Sequence, residues 1–326
     1  MIHVKTHSTH FAGLAAGLLL SAGGAFAGAW PERPITLVVP FAGGNIADNQ
    51  GRLIARQLAQ ALGQPVVVEN RPGASGMIGA EYVARAPADG YTLLYGTHGT
   101  QAANLALQPA ARTDPSRDLR AVHSLFRQST VLVTHSMTPW HSVAQLVEAA
   151  RKAPGRVSYA SSGMGTQTHL AAARFQDAAR VEFTHVPYNN RSSLSDLLGG
   201  SVDISFNYAE SVLQHIASGR LRALAINGGA RLEALPDVPT VGEAGFPDAA
   251  LEGWSGIFAP RGTPDAVVER LARAIGRATQ APDVRAALAR IGSFAMDLSD
   301  AAFQTFAEAE VARWREIVRR ANAQTR

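Results

Sequence analysis

Small hydroxyl-bearing residues are grouped with glycine in two short stretches of this chain. The first stretch is Gly96-Thr97-His98-Gly99-Thr100, and the second is Ser161-Ser162-Gly163-Met164-Gly165-Thr166. Hydroxyls and backbone N–H groups donate hydrogen bonds, so they can hold a carboxylate without a buried, unpaired cation. Ser161, Ser162 and Thr166 either donate to an anion or cap a helix and shape a turn.

A third glycine-bearing loop follows a strongly apolar run. Ile35 to Val39 is a run of β-branched and aliphatic residues, which is typical of a strand buried on both faces of a parallel sheet. Phe41-Ala42-Gly43-Gly44-Asn45 comes next, and Ile46 to Leu62 has apolar residues spaced as on one face of a helix. Such a loop lies where ligands bind in an open α/β sheet, and the free N–H groups of the helix start favour an anion. Asp48 either caps this helix or faces the ligand.

Several other side chains near these loops are candidate ligand contacts, each with a structural alternative. The threonines donate through their hydroxyls or belong to a turn. The histidines donate to an anion or are satisfied structural residues. Tyr188 either stacks on or hydrogen-bonds to the ligand, or it packs in the core. Phe41 is expected to pack in the core more often than to contact a ligand. These residues are Thr97, Thr100, His98, His169, Tyr188 and Phe41.

The order of the predicted elements indicates an α/β protein with two lobes. Short apolar strands alternate with helices through short loops, which is the pattern of a doubly wound, mostly parallel sheet. The strand, small-residue loop and helix of the first domain recur later, with the helix at Gln167 to Ala179. A strand at Gly256 to Pro260 is predicted to return to the first domain. We therefore expect residues 30–128 with 252–326 to form lobe 1 and residues 129–251 to form lobe 2, with a two-crossing hinge and the pocket in the cleft.

Composition places the chain among folded globular proteins and says little about partners. Of its 326 residues, 46% are hydrophobic and 17% are charged, which does not suit a disordered protein. The formal net charge is +4 and the arginines are spread along the chain, so we expect no nucleic-acid partner. The chain has no cysteine, which excludes a disulfide and a lipid-anchoring cysteine.

Residues 1–27 have the composition of a cleavable signal peptide. Lys5 and three histidines form a weakly cationic start, Phe11 to Leu20 is a short apolar core, and Ala25-Phe26-Ala27 is a cleavage site of small residues. Cleavage two residues later is the alternative, because Ala27-Gly28-Ala29 also fits. The apolar core is too short to span a bilayer. We therefore expect a soluble protein exported to the periplasm of a Gram-negative bacterium.

Signals for catalysis, cofactors and metals are weak. The chain has neither a Gly-x-Ser-x-Gly motif nor a cysteine nucleophile. Gly163-Met164-Gly165 lacks the third glycine of a dinucleotide-binding fingerprint. His135 and His141 flank Pro139, so they lack the spacing of zinc ligands on a helix. We therefore expect no catalytic residues, no cofactor and no metal, and we predict that the protein is not an enzyme.

Motifs distributed along the chain carry a resemblance to a known family. In order they are Trp30-Pro31-x-x-Pro34-Ile35, Val39-Pro40-Phe41, Leu62-Gly63-Gln64-Pro65-Val66-Val67-Val68-Glu69-Asn70-Arg71-Pro72-Gly73, Asp89-Gly90-Tyr91-Thr92-Leu93-Leu94, Tyr159-Ala160-Ser161-Ser162-Gly163-x-Gly165-Thr166, His169-Leu170, His185-Val186-Pro187-Tyr188, Leu197-Leu198-Gly199-Gly200 and Leu235-Pro236-Asp237-Val238-Pro239-Thr240. Together and in this order they resemble the Bug family, the extracytoplasmic solute receptors of tripartite tricarboxylate transporters. The resemblance runs from about Trp30 to the carboxyl end.

The resemblance implies a fold, a ligand class and a partner. The implied fold is the two-lobed periplasmic binding protein fold of type II, in which each lobe is a mixed, mostly parallel sheet flanked by helices. The implied function is to capture a small organic acid between the lobes and deliver it to a membrane permease with a large and a small subunit. Loop backbone and hydroxyl groups are implied to hold the carboxylate, partly through ordered water, and Ser161, Ser162 and Thr166 are the leading donors. The matching positions are Phe41, Ala42, Asp48, Thr97, His98, Thr100, Ser161, Ser162, Thr166, His169, Tyr188 and Asn207.

Three departures from the family pattern bear on the ligand. The family usually has its first glycine pair one place later than Gly43-Gly44, so a different backbone shape is expected in this loop. It commonly has Lys-Gly where this chain has Asn189-Asn190-Arg191, and Asp where this chain has Asn207. If Asn207 faces the pocket, loss of that carboxylate would favour a more anionic ligand.

Two other functions are compatible with the sequence. The same fold could present its empty and liganded states to a membrane sensor, which makes a signalling module the alternative to a transport receptor. An exported hydrolase with Ser161 or Ser162 as nucleophile is a more remote alternative. The identity of the acid stays open, and we expect a monomer because a receptor of this kind must close.

Overall fold

The computed structural model describes residues 30–107, 114–164, 166–188 and 193–324, and within these ranges it contains eleven strands and eleven helices. The strands are β1 Ile35–Val39, β2 Val66–Asn70, β3 Thr92–Thr97, β4 Leu119–Gln128, β5 Thr130–His135, β6 Ser158–Ser161, β7 Thr184–Pro187, β8 Ile204–Tyr208, β9 Leu221–Asn227, β10 Gly253–Pro260 and β11 Ser293–Ala295. The helices are α1 Ile46–Leu62, α2 Met77–Ala84, α3 Asn104–Leu107, α4 Pro115–Asp118, α5 Val143–Lys152, α6 Gln167–Ala179, α7 Leu194–Leu198, α8 Ala209–Ala217, α9 Asp265–Gln280, α10 Pro282–Arg290 and α11 Asp300–Gln324. The predicted signal peptide and Asn189-Asn190-Arg191 lie outside the described residues.

The strands form two mixed sheets. Sheet 1 has the order β11-β4-β10-β3-β1-β2, in which β1 to β4 point one way and β10 and β11 the other. Sheet 2 has the order β7-β6-β8-β5-β9, in which β5 alone runs against its sheet among the described strands. Most strands of each sheet therefore share one direction, and their carboxyl ends lie at one edge. This confirms the predicted mixed, mostly parallel architecture.

The unit of β1 and α1 forms with the predicted bounds. β1 lies between β2 and β3, and Leu37, Val38 and Val39 are fully buried, as its apolar run predicts. Helix α1 packs so closely on β1 that a Cβ on Gly51 would lie 2.8 Å from Val39 Cγ2. Because the loop between β1 and α1 is short, this packing fixes the start of α1 at the carboxyl edge of sheet 1.

The same arrangement recurs in sheet 2 with β6 and α6. Helix α6 begins and ends at the predicted residues. Its Phe175 packs against Phe206 of β8 and Phe183 beside β7, with ring centroids 5.7 and 6.2 Å apart. Aromatic packing of this kind fixes α6 on the sheet, so its start also lies at a carboxyl edge.

The segment after β3 differs from the predicted loop. Strand β3 continues to Thr97, and Gly99–Ala103 forms a wide helical turn that leads into α3. The small polar composition indicates a loop, but this turn is buried, with Ala102 and Ala103 packed in the core of sheet 2. Tertiary packing therefore overrides the local preference here. The three-residue strand β11 is too short for a periodic pattern to reveal.

Helix α11 packs on the cores of both sheets. Phe303 and Ala307 join Trp254 and Phe258 on the side of sheet 1. Further along the helix, Trp314 lies in the core of sheet 2 together with other apolar residues of its stripe. The sequence places this whole helix in lobe 1, but helical spacing cannot tell which core each half of a stripe meets. The lobe boundaries stay a prediction, and α11 ties the two sheets together.

Candidate functional site

A cavity of about 380 Å³ lies between the two sheets. Its walls come from the start of α1, the segment before α2, the ends of β3, β4 and β8, and the loop before α6. The lining residues are Phe41, Asn45, Ile46, Ala47, Ser75, Tyr95, Thr97, His98, Gly99, Asn104, Gln128, Met164, Thr166, Gln167 and Tyr208. The predicted contacts among them are Phe41, Thr97, His98 and Thr166.

The start of α1 brings backbone N–H groups to this cavity. Asn45 is the N-cap, and its side-chain oxygen accepts the N–H of Asp48 at 2.9 Å. Ile46 and Ala47, the first two helical residues, line the cavity. The first N–H groups of a helix have no partner within the helix, and the helix dipole adds partial positive charge. The start of α1 therefore favours an anion in the cavity.

Asp48 clamps the first loop from behind the wall. Its carboxylate accepts hydrogen bonds from Gly44 N at 2.8 Å, Arg52 Nε at 3.0 Å and Asn70 Nδ2 at 3.0 Å. Burial raises the pKa of this carboxyl, but the hydrogen bonds outweigh burial and hold the pKa below its usual range. Asp48 and the exposed Ala42 lie apart from the lining residues, so their contact with ligand stays a prediction.

A strained segment supplies Ser75 to the wall. Gly73, Ala74, Ser75 and Gly76 have φ angles of 129°, 47°, 55° and 92°. Such angles are unfavourable for Ala74 and Ser75, which carry a Cβ, and strain of this kind is frequent at functional sites. Asn104 Nδ2 donates to the Ser75 carbonyl at 2.8 Å and holds it there. Glycine-rich composition indicates a loop at this place, but not that it reaches the cavity.

The hydroxyls at the end of β3 bond to each other's backbone. The Thr97 N–H donates to Thr100 Oγ1 at 2.9 Å, and the Thr100 N–H donates to Thr97 Oγ1 at 3.3 Å. Thr97 lines the cavity, whereas Thr100 is fully buried beneath it. Thr97 therefore lies in the cavity wall and Thr100 shapes the turn, and contact of either residue with ligand stays a prediction.

His98 is a buried, neutral part of the cavity wall. Burial lowers the pKa of His98 to about 4. Its ring stacks on Trp314 with centroids 4.7 Å apart, and its Nδ1 accepts the Trp254 N–H at 3.4 Å. With Nδ1 as an acceptor, the ring hydrogen is on Nε2. His98 can thus offer a neutral N–H donor to a ligand.

The start of α6 is the second helix start at the cavity. Thr166 is its N-cap, accepting the His169 N–H at 3.4 Å and donating to the Gly163 carbonyl at 2.7 Å. Thr166 and Gln167, the cap and the first helical residue, both line the cavity, as does Met164. Thr166 is therefore a helix cap that also lies at the cavity, and its predicted role as a carboxylate donor stays a prediction.

Ser161 and His169 support the second loop with buried side chains, and Ser162 is held there through its backbone while its side chain is exposed. Ser161 is fully buried, and its Oγ accepts the Gly163 N–H at 3.1 Å and lies 2.7 Å from His185 Nε2. The Ser162 N–H donates to a threonine hydroxyl of α6 at 2.9 Å. His169 stacks on His185 at 4.6 Å between centroids, and burial together with His185 lowers its pKa to about 4. The lining excludes these three residues, so their direct contact with ligand stays a prediction.

Tyr188 and Asn207 also lie apart from the lining. The Tyr188 hydroxyl donates to Asp196 Oδ2 at 2.6 Å, and its ring packs in a small apolar cluster. Asn207 Nδ2 donates to Ser205 Oγ at 2.9 Å. The Asn-for-Asp departure at this position therefore lies in a buried hydrogen bond of β8, and contact of Tyr188 or Asn207 with ligand stays a prediction.

Six polar residues of the lining were missed by sequence reasoning: Ser75 and Asn104, described above, and Tyr95, Gln128, Gln167 and Tyr208. Tyr208 donates to Gln167 Oε1 at 3.1 Å, and Gln167 Nε2 donates to the Gln128 carbonyl at 3.1 Å. On the side of sheet 1, Gln128 Nε2 and the Tyr95 hydroxyl donate to Gln50 Oε1 at 2.8 and 2.5 Å. Gln128 and Tyr208 end their strands, so the rule that ligands lie beyond strand carboxyl ends could have found these two.

The chemistry of this cavity is that of neutral donors and helix starts. Within the described ranges, the lining contains no Asp, Glu, Lys or Arg. In the same part of the chain there is no group of three or more side chains able to hold a metal ion. None of the described helices is long and apolar enough to cross a bilayer.

Known proteins share both the sequence and the fold of this chain. BugT of Bordetella pertussis is 36% identical over 296 residues, which are 90% of this chain and 91% of that protein. MatC of Rhodopseudomonas palustris, solved with malate, is 31% identical, with a TM-score of 0.76 over 89% of this chain and 100% of that one. A second R. palustris protein, solved with adipate, is 35% identical, with a TM-score of 0.78 over 90% and 98% of the two chains.

A family model described as the tripartite tricarboxylate transporter family receptor matches residues 51–323. This match and the Bug-named relative confirm the resemblance seen in the motifs. The periplasmic binding protein BugD is 31% identical, with a TM-score of 0.75 over 90% of this chain and 99% of that one, which confirms the periplasmic binding protein fold. The family is one of receptors and not of enzymes, so the hydrolase alternative is wrong, which agrees with the burial of Ser161. The chain belongs to the tripartite tricarboxylate transporter receptor family.

Proposed function

We propose that this protein is a periplasmic receptor that binds a small carboxylate in the cavity between its two sheets. The observation that carries the proposal is that the starts of α1 and α6, which belong to different sheets, line the same cavity. Each helix start stabilises negative charge, and together they can grip one carboxylate from both lobes. Malate and adipate, the ligands of the two R. palustris proteins, belong to the same chemical class.

In this proposal, residues of the cavity wall contact the acid directly. Thr97 and His98 donate from their side chains, and Ile46 and Ala47 donate from the backbone. Thr166 donates by turning its single O–H from the Gly163 carbonyl to the acid. Asp48, Ser161 and the other predicted residues behind the wall keep the two loops in shape. Binding draws the lobes together, which removes water and strengthens each hydrogen bond.

A thermal-shift screen tests the ligand class. The purified protein is heated with a panel of organic acids and with their neutral amides and methyl esters at pH 7. A carboxylate at about a hundred times its Kd should add about 2.7 kcal/mol to the free energy of unfolding, whereas its neutral counterpart should add little. Stabilisation by the neutral compounds and not by the acids would contradict the proposal.

Delivery is the second part of the proposal. The exported, monomeric receptor hands its acid to a membrane permease with a large and a small subunit, as the family description suggests. The test is uptake of the labelled acid by cells that carry the permease, with and without the receptor gene. Uptake that does not depend on the receptor would overturn delivery and leave ligand binding intact.

A further inference from the structure

One wall of the cavity is a continuous set of neutral hydrogen-bonding side chains that crosses from one sheet to the other. We call Tyr95, Gln128, Gln167 and Tyr208 the amide wall, and all four line the cavity. Gln50 lies behind it, is 2% exposed, and accepts from both Tyr95 and Gln128. Across the cleft, Gln167 donates to the Gln128 carbonyl and accepts from Tyr208.

The phenol protons of the amide wall are already used within it. Each tyrosine has a single O–H, which Tyr95 gives to Gln50 and Tyr208 gives to Gln167. Burial raises the pKa of Tyr208 to about 12 and also raises that of Tyr95, so both phenols keep their protons at neutral pH. What the two phenols can still offer a ligand is the lone pairs of their oxygens.

The two glutamines add both kinds of group. Gln167 Nε2 donates one of its two hydrogens to the Gln128 carbonyl, and Gln128 Nε2 donates one to Gln50 Oε1. One N–H therefore remains on each amide, together with the side-chain oxygens of Gln128 and Gln167. The wall thus has oxygen acceptors on all four residues and N–H donors on two of them.

We infer that the ligand carries a hydroxyl or amide group facing the amide wall, and that it is a hydroxy- or amido-substituted monocarboxylate and not a dicarboxylate. The inference rests on the proposed function, because the single carboxylate is assigned to the two helix starts. A hydroxyl or amide donates to the oxygens of the wall and accepts from its N–H groups. A second carboxylate is ionised at neutral pH and only accepts, so it would leave those oxygens desolvated and unpaired, which is unfavourable.

Matched acids of equal length test this inference. One series is hexanoate, 6-hydroxyhexanoate, adipamate and adipate, and a shorter series is butanoate, 4-hydroxybutanoate, succinamate and succinate. Kd is measured by calorimetry at pH 7 on the full-length folded protein. In the series whose length fits the cavity, we expect the hydroxy- or amido-acid to bind at least about tenfold more tightly than the dicarboxylate and the unsubstituted acid, the size of effect that one buried hydrogen bond gives.

Variants of the amide wall test whether its residues cause the preference for a hydroxy- or amido-acid. Tyr208→Phe removes one acceptor together with the O–H donated to Gln167, and Tyr95→Phe removes another together with the O–H donated to Gln50, while both keep the ring. Each should lower the affinity for the preferred hydroxy- or amido-acid about tenfold more than the affinity for the unsubstituted acid, so that the preference between the two acids shrinks. Tyr82→Phe is the matched control, since Tyr82 is 40% exposed on α2, outside the cavity lining.

The outcomes separate this inference from the proposed function. Tighter binding of adipate or succinate than of the matched hydroxy- and amido-acids overturns the inference and leaves a carboxylate receptor in place. An unchanged preference in both tyrosine variants also overturns it, because the wall would then not be its source. Binding of hexanol or hexanamide without binding of any acid overturns the proposed function itself.

Discussion

The two helix starts that meet at the cavity are held in place by different chemistry. The loop before α1 is clamped by charge, because the Asp48 carboxylate accepts from the Arg52 guanidinium and the Asn70 amide. The loop before α6 is clamped by neutral groups, since Ser161 Oγ lies 2.7 Å from His185 Nε2. In both loops the side chains shape the backbone, and the helix start is what lines the cavity.

This difference shows that an anion site can be built on two kinds of support. An ionised carboxylate behind the first loop is compatible with an anion in the cavity because its charge is balanced by Arg52 and hydrogen bonds. Neutral imidazoles behind the second loop avoid adding charge but depend on staying unprotonated. The two supports should therefore respond differently to mutation and to pH.

Removal of the charged clamp is expected to have the largest effect. Asp48→Ala leaves three donors without their acceptor, on Gly44, Arg52 and Asn70, so the free energy of unfolding should fall by about 3 kcal/mol. Urea unfolding at pH 7 measures it. Asp89→Ala is the control, since Asp89 pairs with Arg33 at the surface, where solvent screens the pair. An equal, small loss in both variants would show that Asp48 is no clamp.

The second-largest effect should come from acidification, which protonates histidines that are neutral in the fold. Burial lowers the pKa of His169 to about 4, and that of His98 likewise. A histidine of the unfolded chain titrates near about 6.5. Below that pH the unfolded chain binds protons that the folded chain does not, so stability present above it is lost as pH falls toward 4. Between pH 7 and 5 each of these histidines should cost about 2 kcal/mol.

Two variants separate the supports in this pH window. His169→Gln should remove about 2 kcal/mol of the loss of stability between pH 7 and 5. Asp48→Asn should leave that loss unchanged, because the folded pKa of Asp48 is depressed and its contribution disappears only below about 3.9, the unfolded value. The same pH dependence in wild type and His169→Gln would mean that His169 does not stay neutral in the fold.

The bounds of helices could be predicted from the sequence, whereas side-chain contacts between the two sheets could not. The bounds of α1 and α6 follow from apolar spacing and from the caps Asn45 and Thr166, which are local signals. Gln167 begins a predicted helix, but its bond to Gln128 depends on how two sheets pack, which no local pattern contains. Ser161 shows a second limit of sequence-based prediction. A hydroxyl beside a glycine can hydrogen-bond to the backbone of a turn or to a ligand, and the sequence does not distinguish the two roles.

Ser161→Ala tests whether the neutral clamp acts through the loop or on the ligand. The change removes the acceptor of the Gly163 N–H and the partner of His185 at a fully buried site, so stability should fall by about 1.5 kcal/mol, with weaker ligand binding as a consequence. Urea unfolding and calorimetry are done on the same samples, with the exposed Ser162→Ala as control. Weaker binding at unchanged stability would instead make Ser161 a direct ligand contact.

The two helix caps should give the smallest effects and the closest comparison between the loops. Asn45→Ala and Thr166→Ala each remove a side-chain oxygen that accepts the N–H three residues later, and each should cost about 1 kcal/mol of stability. The loss should be larger for Asn45, because its cap bond is 2.9 Å long and that of Thr166 is 3.4 Å.

Ligand affinity should rank the same two variants in the opposite order, with the larger loss of affinity in Thr166→Ala. Thr166→Ala removes a proposed ligand donor as well as a cap, so its Kd should rise more than that of Asn45→Ala, and Thr166→Ser should restore both stability and affinity. Asn45→Ala should still weaken binding, because an unwound first turn would turn the N–H groups of Ile46 and Ala47 away from the cavity they line. If Asn45→Ala binds its acid as tightly as wild type, the start of α1 is not half of the anion site, and the grip belongs to the second loop alone.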